Sequence, residues 1–488
     1  MNDLNSSKTE ETENETGRTR RPILPIRFFL PRYMVSDRLK CGNDYDTKEI
    51  YKIFLLIAWP ALAEQILAGI INFVDTLMVS SVGDAAVAAV GLTTQPRMLF
   101  QCVLASFAVA VNAVVARRKG QDDRDGANRV LAATLPIVFG MAVVFFIVAY
   151  IFAEPILAFI GANEDTLADS TSYFRITMFG LIFVSIFLTI NGAQRGCGKT
   201  RVSMVSTMTA NVINCVLNAL LINGLWIFPK LGVTGAGIAT VIGQFFAMIV
   251  SLLSVRRRNG YLFLIPRDMF RISRKVVGPV FFVMSGAIFE QLFLRIGFFS
   301  FAKLVAGLGT VDFATHQICM TVLNLSFTVA DGLAIAASSL VGQNLGMRRP
   351  DRAMIFGKVA QRIGIGASIV LCTLWVIFRH QIIGWFSDTP EVLEKGSTLM
   401  LMVAVILLFQ IQQALFCGTL RGAGDTRFMA IVSLVSVAIV RPGTAFLLTR
   451  IIPWGLYGAW IGVLVDQIVR AAFACIRFYR GRWTRIEL

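Results

Sequence analysis

Charge is scarce in this chain, and histidine scarcer. Only 16% of the 488 residues are charged, where soluble domains carry about 25%, so a solvated globular surface is excluded for most of the length. There are 2 His, far apart, and neither Cys-x-x-Cys nor His-Glu-x-x-His occurs; this leaves no ligand set for a zinc site or a metallohydrolase. No cofactor is expected, and no metal beyond a coupling Na+. A disulfide frame is equally unpromising. Of 8 Cys, most (Cys102, Cys215, Cys372, Cys475) lie inside apolar runs and read as buried free thiols. The apolar–polar alternation of barrel strands is missing. So is a short apolar core with a small-residue cleavage site near the N-terminus, and no signal peptide is expected. Residues 1–45 are polar, acidic first (Glu10, Glu11, Glu13, Glu15) and then basic (Arg18, Arg20, Arg21, Arg27). They are expected to form a disordered cytoplasmic tail, with Ile26–Tyr33 able to lie on a membrane surface.

What is abundant is apolar: 56% of the residues are hydrophobic, in long unbroken runs such as Met141–Phe152, Leu181–Ile190 and Met400–Phe409. Each sits in a window of about 20 residues, enough to span a bilayer, and in hydrocarbon such a run must be helical to satisfy its own backbone. The chain therefore reads as an all-α integral membrane protein. Twelve spans are expected, at about 50–79, 86–116, 129–152, 172–194, 202–224, 235–255, 275–306, 312–341, 359–379, 397–419, 428–449 and 457–477. The formal charge of +16 does not mark a nucleic-acid binder, because the basic residues cluster in every second loop: Arg117, Arg118 and Lys119; Arg195, Lys199 and Arg201; Arg256–Arg258; Arg348, Arg349 and Arg352; Arg421 and Arg427; Arg477–Arg485. The opposite loops carry Glu154, Glu164, Asp165 and Asp169, or Asp388, Glu391 and Glu394. By the positive-inside rule both termini are cytoplasmic, in a plasma or inner membrane.

The chain repeats itself. Arg195-Gly-Cys-Gly-Lys-Thr-Arg201 returns 226 residues later as Arg421-Gly-Ala-Gly-Asp-Thr-Arg427, and Glu64-Gln65 and Gly120 return as Glu290-Gln291 and Gly346. Gly232-x-x-Gly-Ala-x-Ile238 returns as Gly455-x-x-Gly-Ala-x-Ile461, and Gln244 as Gln467, 223 residues later. A unit of six spans has been duplicated. Six is even, so the halves run in the same direction and the repeat is parallel. The expected division is an N-lobe at 46–258, a cytoplasmic linker at 259–275, a C-lobe at 276–478 and a basic cytoplasmic end at 479–488. Two like lobes suit alternating access; a duplicated scaffold without transport is the plainer reading.

Ionisable groups in mid-span are costly and therefore candidate functional groups. Glu64 and Asp75 are eleven residues apart on span 1, which brings them within roughly 20° of each other, with Asn72 nearby. Each can take a proton, bind a cation or pair with a base. On span 5, Ser203, Thr207, Asn211, Asn214 and Asn218 share an arc of about 80°. They act either as interhelical glue or as neutral oxygens that help Asp75 hold a cation or proton. Glu290 on span 7 is a candidate coupling residue. Gln291 and Arg295 share a side of that helix, and Arg295 offers Glu290 a partner at a poor five-residue spacing. Asp331 on span 8 and Arg441 on span 11 either pair with each other or with others. Asp466 and Arg470 read as an ordinary i,i+4 pair, and His316 as structural. Gly196-Cys-Gly-Lys-Thr200 imitates a phosphate-binding loop, but Ala193 stands where the first glycine is required and Asp425 replaces Lys199 in the second copy. Direct use of ATP is not supported.

Over residues 50–477 the sequence resembles the multidrug and toxic compound extrusion (MATE) family. The resemblance lies in Val74-Asp75-Thr76-Leu-Met78 with Gly83 and Ala88-Ala-Val-Gly91, Thr315-His-Gln-Ile318, Leu340-Val-Gly-Gln-Asn-Leu-Gly346, Leu420-Arg-Gly-Ala-Gly-Asp-Thr426 and Arg441-Pro442. It implies a monomeric, twelve-helix antiporter in the lipid bilayer, with a central cavity, exporting amphipathic and often cationic compounds against Na+ or H+. It makes Asp75 the span-1 acid of the family and Glu290 its span-7 glutamate. Asn218 stands where some members carry an acid on span 5, and Gln410 where some carry an aspartate on span 10, so each lobe keeps one acid of two. The runner-up is a flippase for lipid-linked saccharides, whose more basic cavity Arg97, Arg295 and Arg441 leave open. A membrane enzyme lacks a nucleophile or metal set, and a receptor would bind without pumping. Topology is testable directly: a fluorescent protein fused after Leu488 is expected to fluoresce in the cytoplasm, and alkaline phosphatase to be active only when inserted beside Glu164 or Asp388. The reverse pattern would invert the orientation.

Overall fold

A computed structural model describes residues 30–31, 34, 46–80, 84–161, 163–224, 229, 231–256, 260–265, 268–269 and 273–488; the side chains of 72–73, 76–77, 79–80, 84–87, 164–165 and 223 lie outside that description. No strand occurs among the described residues, and 12 helices are long and apolar enough to cross a membrane. They are α1 (Thr47–Ser80), α2 (Asp84–Gly120), α3 (Arg124–Ile151), α4 (Glu164–Gly196), α5 (Thr200–Asn223), α6 (Gly232–Arg256), α7 (Arg274–Ala306), α8 (Thr310–Gly346), α9 (Pro350–Ile377), α10 (Pro390–Gly422), α11 (Thr426–Ile451) and α12 (Gly455–Tyr479). Each matches one expected span. The largest difference is at α9, which begins at Pro350 because hydropathy marks only the part in hydrocarbon, whereas the helix continues through polar turns with Asp351 and Arg352. Short helices at Ala153–Ile160 and Arg379–Gly384 follow α3 and α9 and are repeat counterparts. The seven described cysteines are free.

The lobes are held by one design used twice. Within each, the second and fourth helices touch backbone to backbone, because small residues line the contact. A Cβ on Gly192 would stand 2.5 Å from the Ala108 carbonyl oxygen, and one on Gly418 would stand 2.7 Å from that of Ala334. The repeated Arg-Gly-x-Gly-x-Thr motif is a helix end. Gly198 (φ 79°) and Gly424 (φ 88°) take the left-handed conformation that lets the chain reverse after α4 and α10. Thr200 Oγ1 then donates to the Ile57 carbonyl on α1 (2.9 Å), and Thr426 Oγ1 to the Val283 carbonyl on α7 (2.7 Å). The apparent phosphate loop is thus a cap that fastens the fourth and fifth helices of each lobe to its first.

The lobes meet at the end that carries the basic loops. Gly120 faces its own repeat counterpart: a Cβ on either Gly120 or Gly346 would lie 2.9 Å from the other's Cα. The pseudo-twofold axis therefore passes between α2 and α8 there. Further from that end, a Cβ on Gly332 (α8) would lie 2.8 Å from Leu62 Cα (α1), and one on Gly69 would meet Thr328 at 3.7 Å. Gln343 Nε2 donates to the Gly196 carbonyl across the same boundary (2.8 Å). The C-terminal residues add a strap. Trp483 stacks on Phe478 at 5.4 Å, and Arg117 of α2 donates to the Ile486 carbonyl at 2.5 Å.

Two expected boundaries shift. Leu262 is buried in the N-lobe core and Arg124 donates to the Gly260 carbonyl at 2.6 Å, so residues 260–265 belong with the N-lobe and not with a free linker. In the tail expected to be disordered, Met34 is 3% exposed, packed in the core beneath α8–α10, and its carbonyl accepts from Lys358 Nζ; of the remaining tail, Leu30 and Pro31 are also described, and the rest, most of Ile26–Tyr33 included, lies outside the described residues. The Gly120 contact leaves no room for a side chain. Gly120→Val is expected to lengthen the distance between spin labels at Gln121 and Met347, measured by dipolar spectroscopy; an unchanged distance would show that the lobes are held together elsewhere.

Candidate functional site

The charges inside the membrane sort into pairs and remainders. Glu64 on α1 is 3% exposed. Its Oε1 accepts from Arg195 Nη2 (2.5 Å), Ser203 Oγ (3.0 Å) and Thr207 Oγ1 (2.9 Å). Ser203 and Thr207 are thus glue, and they act through Glu64. Glu290 on α7 is 2% exposed and takes a two-point ion pair from Arg421 at 2.5 and 3.2 Å. Arg195 and Arg421 are repeat counterparts, each 131 residues after its glutamate. Sequence reasoning placed both arginines among loop charges and offered Arg295 to Glu290. The signal that could have found the true pairs is the equal spacing of Glu and Arg in both halves.

Asp75 is different. It lies in the C-terminal half of α1, half-buried, and no Lys or Arg nitrogen stands within 4 Å of it among the described residues. Its neighbours are neutral. Asn218 Nδ2 donates to Asp75 Oδ1 at 2.9 Å and reaches Asn214 Oδ1 at 3.3 Å, while Asn214 Nδ2 donates to Thr240 Oγ1 of α6 at 3.1 Å. Turned so that its nitrogen faces Asp75, the Asn214 amide is satisfied on both sides: the nitrogen donates at 2.9 Å to both carboxylate oxygens and the oxygen accepts from Thr240. A protonated carboxyl would instead donate a hydrogen bond to the amide oxygen. Asn218 Oδ1 is buried with no hydrogen-bond partner. Carboxylate, amide and hydroxyl oxygens so gathered form the hard donor set of a proton or an alkali cation. Thr240 was missed in the sequence, although it lies one turn before Gln244 on the same side of α6.

The second lobe answers this site with its opposite. Two π-helical segments, Leu434–Val440 and Leu447–Ile451, let α11 absorb one extra residue, so the repeat offset grows from 226 at Thr200/Thr426 to 227 at Leu221/Leu448. Arg441 then falls opposite Asn214, and Phe301 opposite Asp75. Arg441 is 1% exposed, lies 4.6 Å from the centre of the Phe298 ring, and pairs with Asp466 at 2.6 Å, an aspartate that also holds Arg470 at 3.0 Å, so the cluster keeps one net positive charge. Asp331 is therefore not its partner. Asp331 faces the charges of Arg421 and Arg195 from α8 without a salt bridge to either. Gln410 is buried, and its Oε1 has no hydrogen-bond partner. Gln291 and Asn211 are half-buried and join neither cluster; the side chain of Asn72 lies outside the described residues. His316 packs among Phe301, Phe313 and Trp460, as a structural residue should.

The model of the MatE family matches this chain twice, over residues 60–220 and 287–447. The chain belongs to the MatE family. The two matched windows stand at the repeat offset and so cover the framework of both lobes. Among curated MATE relatives are two named probable multidrug resistance protein NorM. That from Thermotoga maritima is 25% identical over 90% of this chain and 94% of its own length; that from Pseudomonas putida is 26% identical over 89% and 95%. A solved multidrug resistance MATE family transporter of the MOP superfamily superposes with a TM-score of 0.83 at 21% identity, over 89% of this chain and 97% of the other. A MOP superfamily transporter from Pyrococcus furiosus superposes at 0.82, also at 21% identity, over 89% and 95%. The twelve-helix, two-lobed fold is that of these transporters.

The pairs and the remainders should differ in what their loss does. Asp466→Ala strands two buried guanidinium groups and is expected to cost about 3–5 kcal/mol, read as a marked fall in melting temperature in detergent. Asp75→Asn leaves no charge unpaired and is expected to stay within about 1 kcal/mol of wild type. Equal losses would mean that Asp75 is a structural residue too.

Proposed function

We propose that this MATE protein is a secondary active antiporter. In this reading it exports small amphipathic organic compounds, cationic drugs among them, in exchange for Na+ or H+, through alternating access between its lobes. The observation that carries the reading is Asp75, a carboxylate in a membrane helix that meets two amides, Asn214 and Asn218, and no Lys or Arg within 4 Å among the described residues. The names of the NorM relatives support drug export. Glu290 and Glu64 already have arginine partners, so we place the exchangeable ion at Asp75, Asn214 and Asn218 and give the two glutamates a share in coupling through the lobe frame. The basic end, where Gly120 meets Gly346, is taken as cytoplasmic.

An ion at Asp75 drives transport only if it binds one lobe arrangement better than the other. The Asn214 amide offers a route, since its orientation follows the charge of Asp75 and its other end is tied to α6. A potential of 100 mV contributes about 2.3 kcal/mol per charge moved inward, enough for roughly a fiftyfold gradient of a neutral substrate. The flippase reading loses Arg441 as a free anion contact, because it is 1% exposed and bound to Asp466. In proteoliposomes, efflux of a cationic dye is expected under one imposed gradient, Na+ or H+. Asp75→Asn is expected to reduce it at least about a hundredfold, as the loss of a charged ligand implies, and Glu290→Gln to slow it less. Full activity in Asp75→Asn would remove the site; no dye movement under either gradient would remove the antiporter.

A further inference from the structure

Arg295 is one of three mid-membrane charges, with Arg97 and Asp331, that have no salt bridge among the described residues and no place in the paired frame or the coupling site. Arg195, Arg421, Arg441 and Arg470 each lie within 4 Å of a carboxylate. Arg295 has no acid within that distance and makes no hydrogen bond among the described residues, and its Nε is buried without a partner. The rest of the side chain is half-buried. An arginine in this position is expensive unless something answers its charge.

Its direction follows from its helix. Phe281, at the start of α7, packs edge-on against Phe107 of α2 in the other lobe, with ring centres 5.8 Å apart. Fourteen residues on, Arg295 returns to within about 40° of the same face. The charge of Arg295 also acts on the thiol of Cys102, again on α2. Arg295 therefore points across the boundary between the lobes, roughly 16 Å below the outer end of α7 and on the outer side of the Gly120–Gly346 closure. Gln291 lies one turn deeper on the same side, and Met284 and Phe281 continue that side as an apolar strip. The repeat counterpart of Arg295 is Gly69, so the arginine is not part of the duplicated frame.

We propose that Arg295, assisted by Gln291, receives the anionic group of a transported amphipath, a carboxylate, sulfonate or phosphate, while the apolar strip takes its body. This rests on the antiporter reading above and extends its substrate class to organic anions and zwitterions. A guanidinium matches such oxoanions with two parallel hydrogen bonds. The charge balance also changes. Exchange of one monovalent anion outward for one cation inward moves two charges in the same electrical sense, and each adds roughly fiftyfold per 100 mV to the attainable gradient. Exchange of a monovalent cation for one coupling cation moves none.

The test uses the full chain in proteoliposomes with three probes: fluorescein sulfonate, ethidium, and a fluorescent phosphatidylglycerol scored for transbilayer movement. Wild type is expected to move both soluble dyes. Arg295→Gln is expected to raise the KM for fluorescein sulfonate about tenfold or more, as loss of a charge-assisted bond implies. Ethidium transport in the same variant should persist, which also shows that the variant is folded. Arg295→Lys should recover part of the loss. Movement of the labelled lipid alone, lost in Arg295→Gln, would keep the anion site and assign it to a lipid headgroup. An unchanged KM for fluorescein sulfonate in Arg295→Gln, or a wild type that moves ethidium but not the anion, would overturn the proposal. Should neither dye move, the antiporter reading fails by itself. Binding of fluorescein sulfonate to purified protein, followed by anisotropy, then decides the site: weaker binding in Arg295→Gln supports it, and equal binding overturns it.

Discussion

An arginine at the end of a membrane helix can point to water, and in each lobe one does not. It turns inward to a glutamate on the lobe's first helix. That ion pair, with the left-handed glycine and the threonine that follow it, fixes three helices at one point. The glutamate and the threonine's acceptor both lie on the first helix, the arginine ends the fourth, and the threonine opens the fifth. Because the same four residues do this at the same spacing in both halves, the lobes are stiff bodies of one design. Stiffness is what an alternating-access machine asks of its parts: the movement must occur between lobes and not within them.

Much of this was legible before any coordinates. The spans were set by hydropathy and the two lobes by the repeat. Helical spacing grouped Asp75 with Glu64 and the span-5 polar residues with one another; the structure divides that stripe, joining Ser203 and Thr207 to Glu64 and Asn214 and Asn218 to Asp75. What the sequence hid was partnership at long range. Arg195 and Arg421 were indistinguishable from the loop charges of the positive-inside pattern, since composition does not say whether a terminal arginine turns in or out. Arg441 was seen as costly, but its partner Asp466 lies on the next helix, and the π turns of α11 shift the repeat register by one residue, which no periodicity assuming 3.6 residues per turn can reveal. Thr240 was hidden for a simpler reason. A lone threonine in a Gly- and Ala-rich helix is common glue.

The halves have diverged where their symmetry would have been least useful. At matched positions the N-lobe holds an acid among amides and the C-lobe an aromatic ring beneath an arginine paired with Asp466. On the reading proposed above, one lobe responds to a proton or cation and the other does not respond in the same place. A binding event then acts on the two lobes unequally, which is the condition for biasing one arrangement of a two-body device over the other. Asp331, held between the arginines of both frames, lies where such a bias would be felt.

Gly120 and Gly346 carry a consequence of a different kind. Each touches the residue that occupies its own place in the other half, so the closed face is complementary to itself. A single six-helix chain with a glycine at that position would already possess the surface needed to pair with an identical copy in the same orientation. Joining two such units asks for a linker and no new interface, and once they are joined each copy of that surface is free to change without the other.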